Sequence, residues 1–321
     1  MAETSFCTRP PEVLYHYCSV PTFYNIIKNK SIWLSDISKS NDSEELRWYL
    51  RSFKAVLDKA WNLYIEQRQK HGKNDDPEII RRLHDGILNA AEQEQAKCWA
   101  FCLSEKEDDL GQWRGYADNG AGVAIGLRSR CFEATGRLWM TLKNVPEQFL
   151  YNPRFGKVEY GEKAVEDWFA ALTEDAPIYN LDVGPFEAAA ALRKLVPKMY
   201  SIAPFYKNIG FQEEREWRLI YSMPTDDLKA GNLPGWPFIQ EVSLPGFQIK
   251  AFCYTEKGNN LVSHIELEGH LFGNMISEII IGPKCKLTEN EVKLFLISCK
   301  LFQEMAEYDE IQICKSASSY R

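Results

Sequence analysis

The chain has 321 residues, 45% apolar and 26% charged, with a formal net charge of -7. These are ordinary globular values, and the length suffices for one elaborated domain or two. An acidic total excludes polyanion binding by bulk electrostatics, although a local basic groove is compatible with it. Nine cysteines (Cys7, Cys18, Cys98, Cys102, Cys131, Cys253, Cys285, Cys299, Cys314) form no CxxC pair, so buried reduced thiols are expected, not a disulfide framework or a zinc knuckle. No basic segment followed by an apolar run opens the chain, and no window approaches 18 uninterrupted apolar residues. A soluble, cytoplasmic protein without a membrane span is expected.

In chain order, Leu14-Tyr15-His16-Tyr17 reads as a short apolar strand. An amphipathic helix follows over 21–30, with Phe23, Ile26 and Ile27 on one face, and then a strand over Ser31–Ser35. Ser40-Asn41-Asp42-Ser43-Glu44-Glu45 reads as a helix start, with capping residues followed by acids. Leu46, Leu50, Phe53, Leu57, Trp61 and Tyr64 recur at steps of three and four and predict one long striped helix. A break over 71–77 leads to a second helix ending near Ala96, so residues 41–96 form a helical insertion in a mostly β core.

Cys98–Ser104 is an apolar run expected to be a strand buried on both faces. A helical turn over 110–117 carries Gln112, Trp113 and Tyr116, and Val123–Leu127 is another buried strand. Gly120-Ala121-Gly122 is expected to be a turn, because a dinucleotide fingerprint would need a helix after it. Lys157–Tyr160 reads as a strand, Phe186–Leu195 as helix and Glu216–Tyr221 as an alternating strand. Strands over 247–254, 261–267 and 276–281 come next. A helix over 289–304 with a Thr288/Glu291 capping box and a strand over 311–314 complete the pattern. There is no repeat and no linker, so a single α+β domain over 1–321 is expected.

The chemistry concentrates in Lys207 and Glu214-Arg215-Glu216-Trp217-Arg218. Two carboxylates two apart at a strand start are expected to lie side by side, raising one pKa and suiting acid–base work or a ribose. The same pattern also fits an edge strand with ordinary cross-strand ion pairs. Ser104 at a strand end is a candidate ligand contact or turn cap. Trp113 and Tyr116 could stack on an aromatic ring or belong to the core. Arg114 and Lys207 could hold a pyrophosphate or be solvated. No H-E-x-x-H or His/Cys cluster suggests a metal site, the sequence has no nucleophile-elbow or P-loop motif, and a Cys18/His16 nucleophile pair lacks an orienting group.

These stretches resemble the bacterial family catalogued as domain of unknown function 2971. Tyr15-His16-Tyr17 with Ser19, Asn41-Asp42 with Glu44 or Glu45, Phe101–Ser104, Trp113, Tyr116, Gly122, Lys207 with Glu214-x-Glu216-x-Arg218, and Ile279–Gly282 carry that resemblance. Ser43 stands where the family pattern has proline, and Phe211 where it has tryptophan. The opening strand–helix–strand is also similar to ADP-ribosyltransferase-like proteins. That similarity implies an ADP-ribosyltransferase-like split antiparallel β core with helical insertions, and NAD as co-substrate.

By the same resemblance His16 would hold the nicotinamide ribose, and Glu216 or Glu214 would be the catalytic acid. Ser35, Ser104 and Tyr116 are candidates for the middle position. Tyr17, Ser19, Trp113, Lys207 and Arg218 complete the implied cofactor-binding set. The implied activity is ADP-ribosyl transfer to a protein or nucleic acid, or NAD hydrolysis, in a toxin or anti-phage setting. Two other readings remain open. One is a non-catalytic nucleotide- or protein-binding module that docks a partner through the 46–64 helix. The other is an RNA-directed nuclease or phosphotransferase contacting phosphate through Arg114, Lys207 and Arg218.

Overall fold

Runs rich in β-branched and aromatic residues assemble into one ten-stranded sheet. The computed structural model describes residues 9–39, 45–93, 96–133, 153–174, 180–231, 247–269, 272–304 and 310–319. Along the main path lie β12 (Gln312–Lys315), β11 (Ile276–Ile281), β4 (Val123–Arg128), β1 (Val13–Cys18), β3 (Ala96–Ser104), β2 (Ser31–Asp36), β10 (Asn260–Gly269) and β9 (Phe247–Lys257). On the other edge of β3, β8 (Glu216–Pro224) pairs along the whole strand and in turn carries β5 (Arg154–Lys157). Every pairing in this sheet is antiparallel except β11 with β12, and the fold is mixed α+β. A separate parallel pair joins β6 (Glu159–Tyr160) to β7 (Tyr206–Lys207).

The sheet is split at its centre. Strands β1 and β2 meet the same edge of β3 at different heights: Tyr15 faces Ser104, whereas Ser35 and Asp36 face Ala100 and Trp99. Helix α1 (Val20–Asn29) carries the chain from β1 to β2; Ser19 caps it by accepting from the Thr22 N–H, and Lys30 ends it at φ +52°.

One face of the sheet is mostly apolar. Leu14, Trp99, Phe101, Leu103, Ile125, Trp217 and Leu219 pack there with Phe23, Ile26 and Ile27 of α1. Val292 and Leu296 of α7 (Glu289–Ser298) join the same cluster. The other face carries two separate clusters. In the larger, Cys98, Ala100 and Ile220 meet α2 (Glu45–Lys70), α3 (Pro77–Gln93), α5 (Glu162–Thr173) and α6 (Pro185–Ile202). In the smaller, Tyr15, Tyr17, Ala124 and Ile280 meet Trp113 and Ala117 at α4 (Leu110–Tyr116).

Several sequence expectations change here. The stripe on α2 is not a docking surface. Phe53, Leu57, Trp61 and Tyr64 are buried, with Tyr49 beside them, under α5 and α6, because the inserted helices need their own apolar cover. Lys157–Tyr160 is two strands, since Val158 turns aside to donate its N–H to the Glu216 carbonyl at 2.8 Å. The last helix stops at Ser298, where Lys300 takes φ +58°, and a 3₁₀ turn replaces its end. Helix α3 ends at Gln93, and β3 starts at Ala96. The capping residues expected at 40–44 lie outside the described residues. Among the described residues no helix is long and apolar enough to cross a membrane.

Candidate functional site

Between the two clusters on the second face runs a polar seam. Cys102 and Ser104 of β3 lie opposite Arg218 and Glu216 of β8. The turn before β8 delivers Glu214. Residues Ile209–Glu214 form a 3₁₀ helix capped by the Asn208 side chain, and Arg215 takes φ +45° to launch the strand. Glu214 therefore lies outside the strand. Yet both carboxylates converge on one ammonium, Lys207 of β7, at 2.6 Å from Glu214 Oε2 and 3.1 Å from Glu216 Oε2.

Arg218 grips Glu216 through two parallel bonds, Nε to Oε1 and Nη2 to Oε2, each 2.8 Å, and its Nη1 donates to the Pro204 carbonyl at 2.6 Å. Two carboxylates and two cations thus neutralise one another inside the protein. At Glu216 this reverses the expectation that proximity raises a carboxylate pKa. Burial does oppose the charge of Glu216, but Arg218 and Lys207 outweigh it and hold the carboxyl well below the usual glutamate range. Glu216, Arg218 and Lys207 are all at least nine-tenths buried.

The groups that solvent reaches are different ones. Glu214 keeps 17% of its side chain exposed, and its Oε1 accepts from the Tyr116 hydroxyl at 2.6 Å. Tyr116, at the end of α4, is 40% exposed. Burial, followed by the Glu214 charge, raises its phenol pKa. Cys102 is exposed although it stands on a central strand, so its side chain lies on the floor of an open concavity. Its thiol faces the Glu216 carboxylate, and burial together with that charge pushes its pKa well up. Its exposure corrects the expectation of a buried thiol at Cys102, which the sequence does not single out as a site residue. The signal was the series Cys98, Ala100, Cys102, Ser104, small residues along one face of β3.

His16 does not share this concavity. It pairs with Ile125, so its side chain belongs to the opposite, apolar face, where it stacks on Phe101 at 4.2 Å between centroids. Its Nδ1 lies 2.9 Å from the Cys102 carbonyl, which requires the proton on Nδ1. Burial lowers its pKa to about 4, so the ring is neutral near pH 7. The imidazole therefore meets the Cys102 carbonyl between the points where β1 and β2 pair with β3. Cys18, buried on the same face with a raised thiol pKa, forms no catalytic pair with it.

Other expected residues prove to be supports. Ser104 donates to the Glu214 carbonyl at 2.7 Å. Trp113 is fully buried, its indole N–H bound to Asp108 at 2.6 Å, and offers no face to a ligand. Tyr17 is buried, donating to the Lys106 carbonyl and accepting from the Asp109 N–H. Ser19 serves as the α1 cap. Lys207 and Arg218 are committed to carboxylates, so the phosphate contacts expected of them would require breaking buried pairs; Arg114 is exposed on α4. Ser35 sits on the seam side of β2, opposite Ala100, and hydrogen-bonds His264 Nδ1 at 3.0 Å. Among the described residues no group of three or more histidine, cysteine, aspartate or glutamate side chains could hold a metal ion.

Residues 112–219 match the family model described as "Protein of unknown function (DUF2971)". The matched segment begins in α4 and ends in β8, so Tyr116, Lys207, Glu214, Glu216 and Arg218 all fall within it. His16, Ser35 and Cys102 lie outside it. No curated protein and no solved structure matches the chain.

Proposed function

We propose that the seam binds NAD and cleaves its nicotinamide–ribose bond, passing ADP-ribose to a protein or nucleic-acid acceptor or to water. The observation that carries this reading is Glu214. It is a carboxylate reachable from solvent, oriented from one side by Tyr116 and from the other by Lys207, above the open floor at Cys102. In cleavage, the bond from C1′ to the nicotinamide nitrogen breaks with its electron pair leaving on nicotinamide. An acceptor lone pair then bonds C1′ as the acceptor loses its proton. Positive charge builds on the ribose in between, and a fixed carboxylate in a partly dehydrated site stabilises it. The opening strand–helix–strand and its split are what the resemblance to ADP-ribosyltransferase-like proteins supplies.

The site residues take revised roles in this reading. Glu214 is the catalytic carboxylate, Tyr116 and Lys207 orient it, and Glu216 with Arg218 anchors Lys207. His16 holds the split and positions Cys102 from the opposite face. Nicotinamide release from NAD, with labelled ADP-ribose followed in a cell lysate, tests the proposal. Glu214→Gln should lower turnover by about 10²–10⁴ with folding intact, the range for loss of a positioned carboxylate. Full turnover by that variant would refute the assignment. NAD binding without release in the native protein would make the seam a non-catalytic binding site.

A further inference from the structure

Trp33 is partly exposed on β2, yet among the described residues it joins none of the three apolar clusters and packs on the rim of none. An indole outside the apolar clusters is uncommon, because its large surface normally drives it into a core. The alternation of β2 explains the placement: Ile32 and Leu34 enter the apolar core, whereas Ser31, Trp33 and Ser35 face the seam side. Its ring neighbour is His264, at 5.0 Å and a 40° tilt. That imidazole is held at both nitrogens, by Ser35 Oγ at 3.0 Å and by Thr255 Oγ1 at 2.7 Å. Directly across from Trp33 stands Glu266, whose Oε1 accepts from Ser31 Oγ at 2.8 Å and from Lys250 at 3.3 Å.

We infer that Trp33 is the stacking platform for a planar heteroaromatic ring of the ligand, with Glu266 placed to accept from the ring's amino or carboxamide group. The platform rests on the reading of the seam as a nucleotide site. It adds where the ring lies: along β2, past Ser35, beyond the Cys102 floor. Ser35 pairs with Ala100, the residue that precedes Cys102 on the same face of β3, so platform and seam are continuous. A rigid indole flanked by a histidine that both its hydroxyl partners immobilise loses little entropy when a base stacks on it.

The test uses full-length protein labelled with 5-fluorotryptophan, with the Trp33 ¹⁹F resonance assigned through Trp33→Phe. Adenosine monophosphate, nicotinamide mononucleotide and ribose 5-phosphate are titrated separately. One of the two ring-bearing probes should move the Trp33 resonance, identifying which ring stacks, and ribose 5-phosphate should not. Trp33→Leu should weaken that probe's binding about 5- to 150-fold, the range for loss of one stacked base. If Trp33→Leu fails to fold, the resonance shift in the native protein decides alone. NAD cleavage or nucleotide binding with a silent Trp33 resonance overturns the platform and leaves the proposed function standing. A shifted Trp33 resonance without NAD cleavage supports the platform and overturns the catalytic reading. A silent Trp33 resonance with neither nucleotide binding nor NAD cleavage overturns both.

Discussion

Replacing Arg218 with methionine tests the ion cluster that orders the seam. The change removes three charge-assisted bonds, two to Glu216 and one to the Pro204 carbonyl, from a side chain that is only 3% exposed. Breaking a buried pair by removing one partner costs about 3–5 kcal/mol, because the remaining charge stays desolvated. Lys207 still lies 3.1 Å from Glu216, so the low end, about 3 kcal/mol, is expected. That is a large share of a typical 5–15 kcal/mol total. Urea denaturation at pH 7 reads the loss directly. In Arg218→Met/Glu216→Leu both members of the pair go, and most of the stability should return, since apolar side chains often replace buried pairs at no net cost.

The pH dependence supplies an independent check. The folded-state pKa of Glu216 lies below its ordinary 4.5. Its stabilisation is therefore complete above about pH 4.5 and is lost as pH falls through the folded value. Removing Arg218 raises that folded value, so the stability of Arg218→Met should fall less steeply between pH 4.5 and the acid limit. A single variant that costs under about 1 kcal/mol, or one that keeps the native acid slope, would show that the cluster is an incidental surface-type contact.

His16 should remain neutral and protonated on Nδ1 at pH 5, where a free imidazole is mostly charged; ¹⁵N chemical shifts report both properties. Its folded pKa lies below the unfolded value, so its contribution is complete above about pH 6.5 and declines as pH falls toward 4. Gly122→Ala would put a Cβ 2.1 Å from the Cys18 carbonyl oxygen and should cost about 1–3 kcal/mol or more in chemical denaturation. Gly115→Ala, on open α4 surface with nothing within 4 Å, should instead gain up to about 1 kcal/mol. Cys102 should alkylate slowly at pH 7 despite its exposure, and Glu216→Gln should speed the reaction by removing the charge that disfavours the thiolate; equal rates would contradict the contact.

The elements were legible because periodicity is a local property. The α1 face, the α2 stripe, the run in β3 and the Thr288/Glu291 box all emerge from residues a few positions apart. Lys207, Glu214, Glu216, Arg218 and Tyr116 were also visible as a set. Their division of labour was not. Whether Glu214 or Glu216 meets solvent depends on Arg215 adopting a left-handed conformation and on Arg218 folding back over its i-2 neighbour. The side on which His16 points depends on one register pair with β4, more than one hundred residues away. Trp33 was legible in principle, as the one tryptophan on the serine side of β2, but only a known sheet shows that it joins none of the apolar clusters among the described residues.

The same long-range dependence explains why the reachable groups number so few. Glu214 stands where it does because Ser104 donates to its carbonyl and the Glu105 N–H binds the Arg215 carbonyl at 3.1 Å, tying the turn to the end of β3. Tyr116 reaches it because Asp108 fixes the start of α4. One Asp108 oxygen accepts from Trp113 and Ser316 at 2.6 and 2.7 Å, and the other accepts from the Ala317 and Ser318 N–H groups. A phenol–carboxylate contact in an open cleft is thus held by bonds among three segments, 104–113, 214–215 and 316–318. Rigidity of that kind is what a stabilising carboxylate needs, because a group that must reorganise as charge develops gives back much of what it stabilises. Disturbing Asp108, which touches neither Glu214 nor the floor at Cys102, should therefore slow NAD cleavage through the geometry of Tyr116, and the proposed site stands or falls on that coupling.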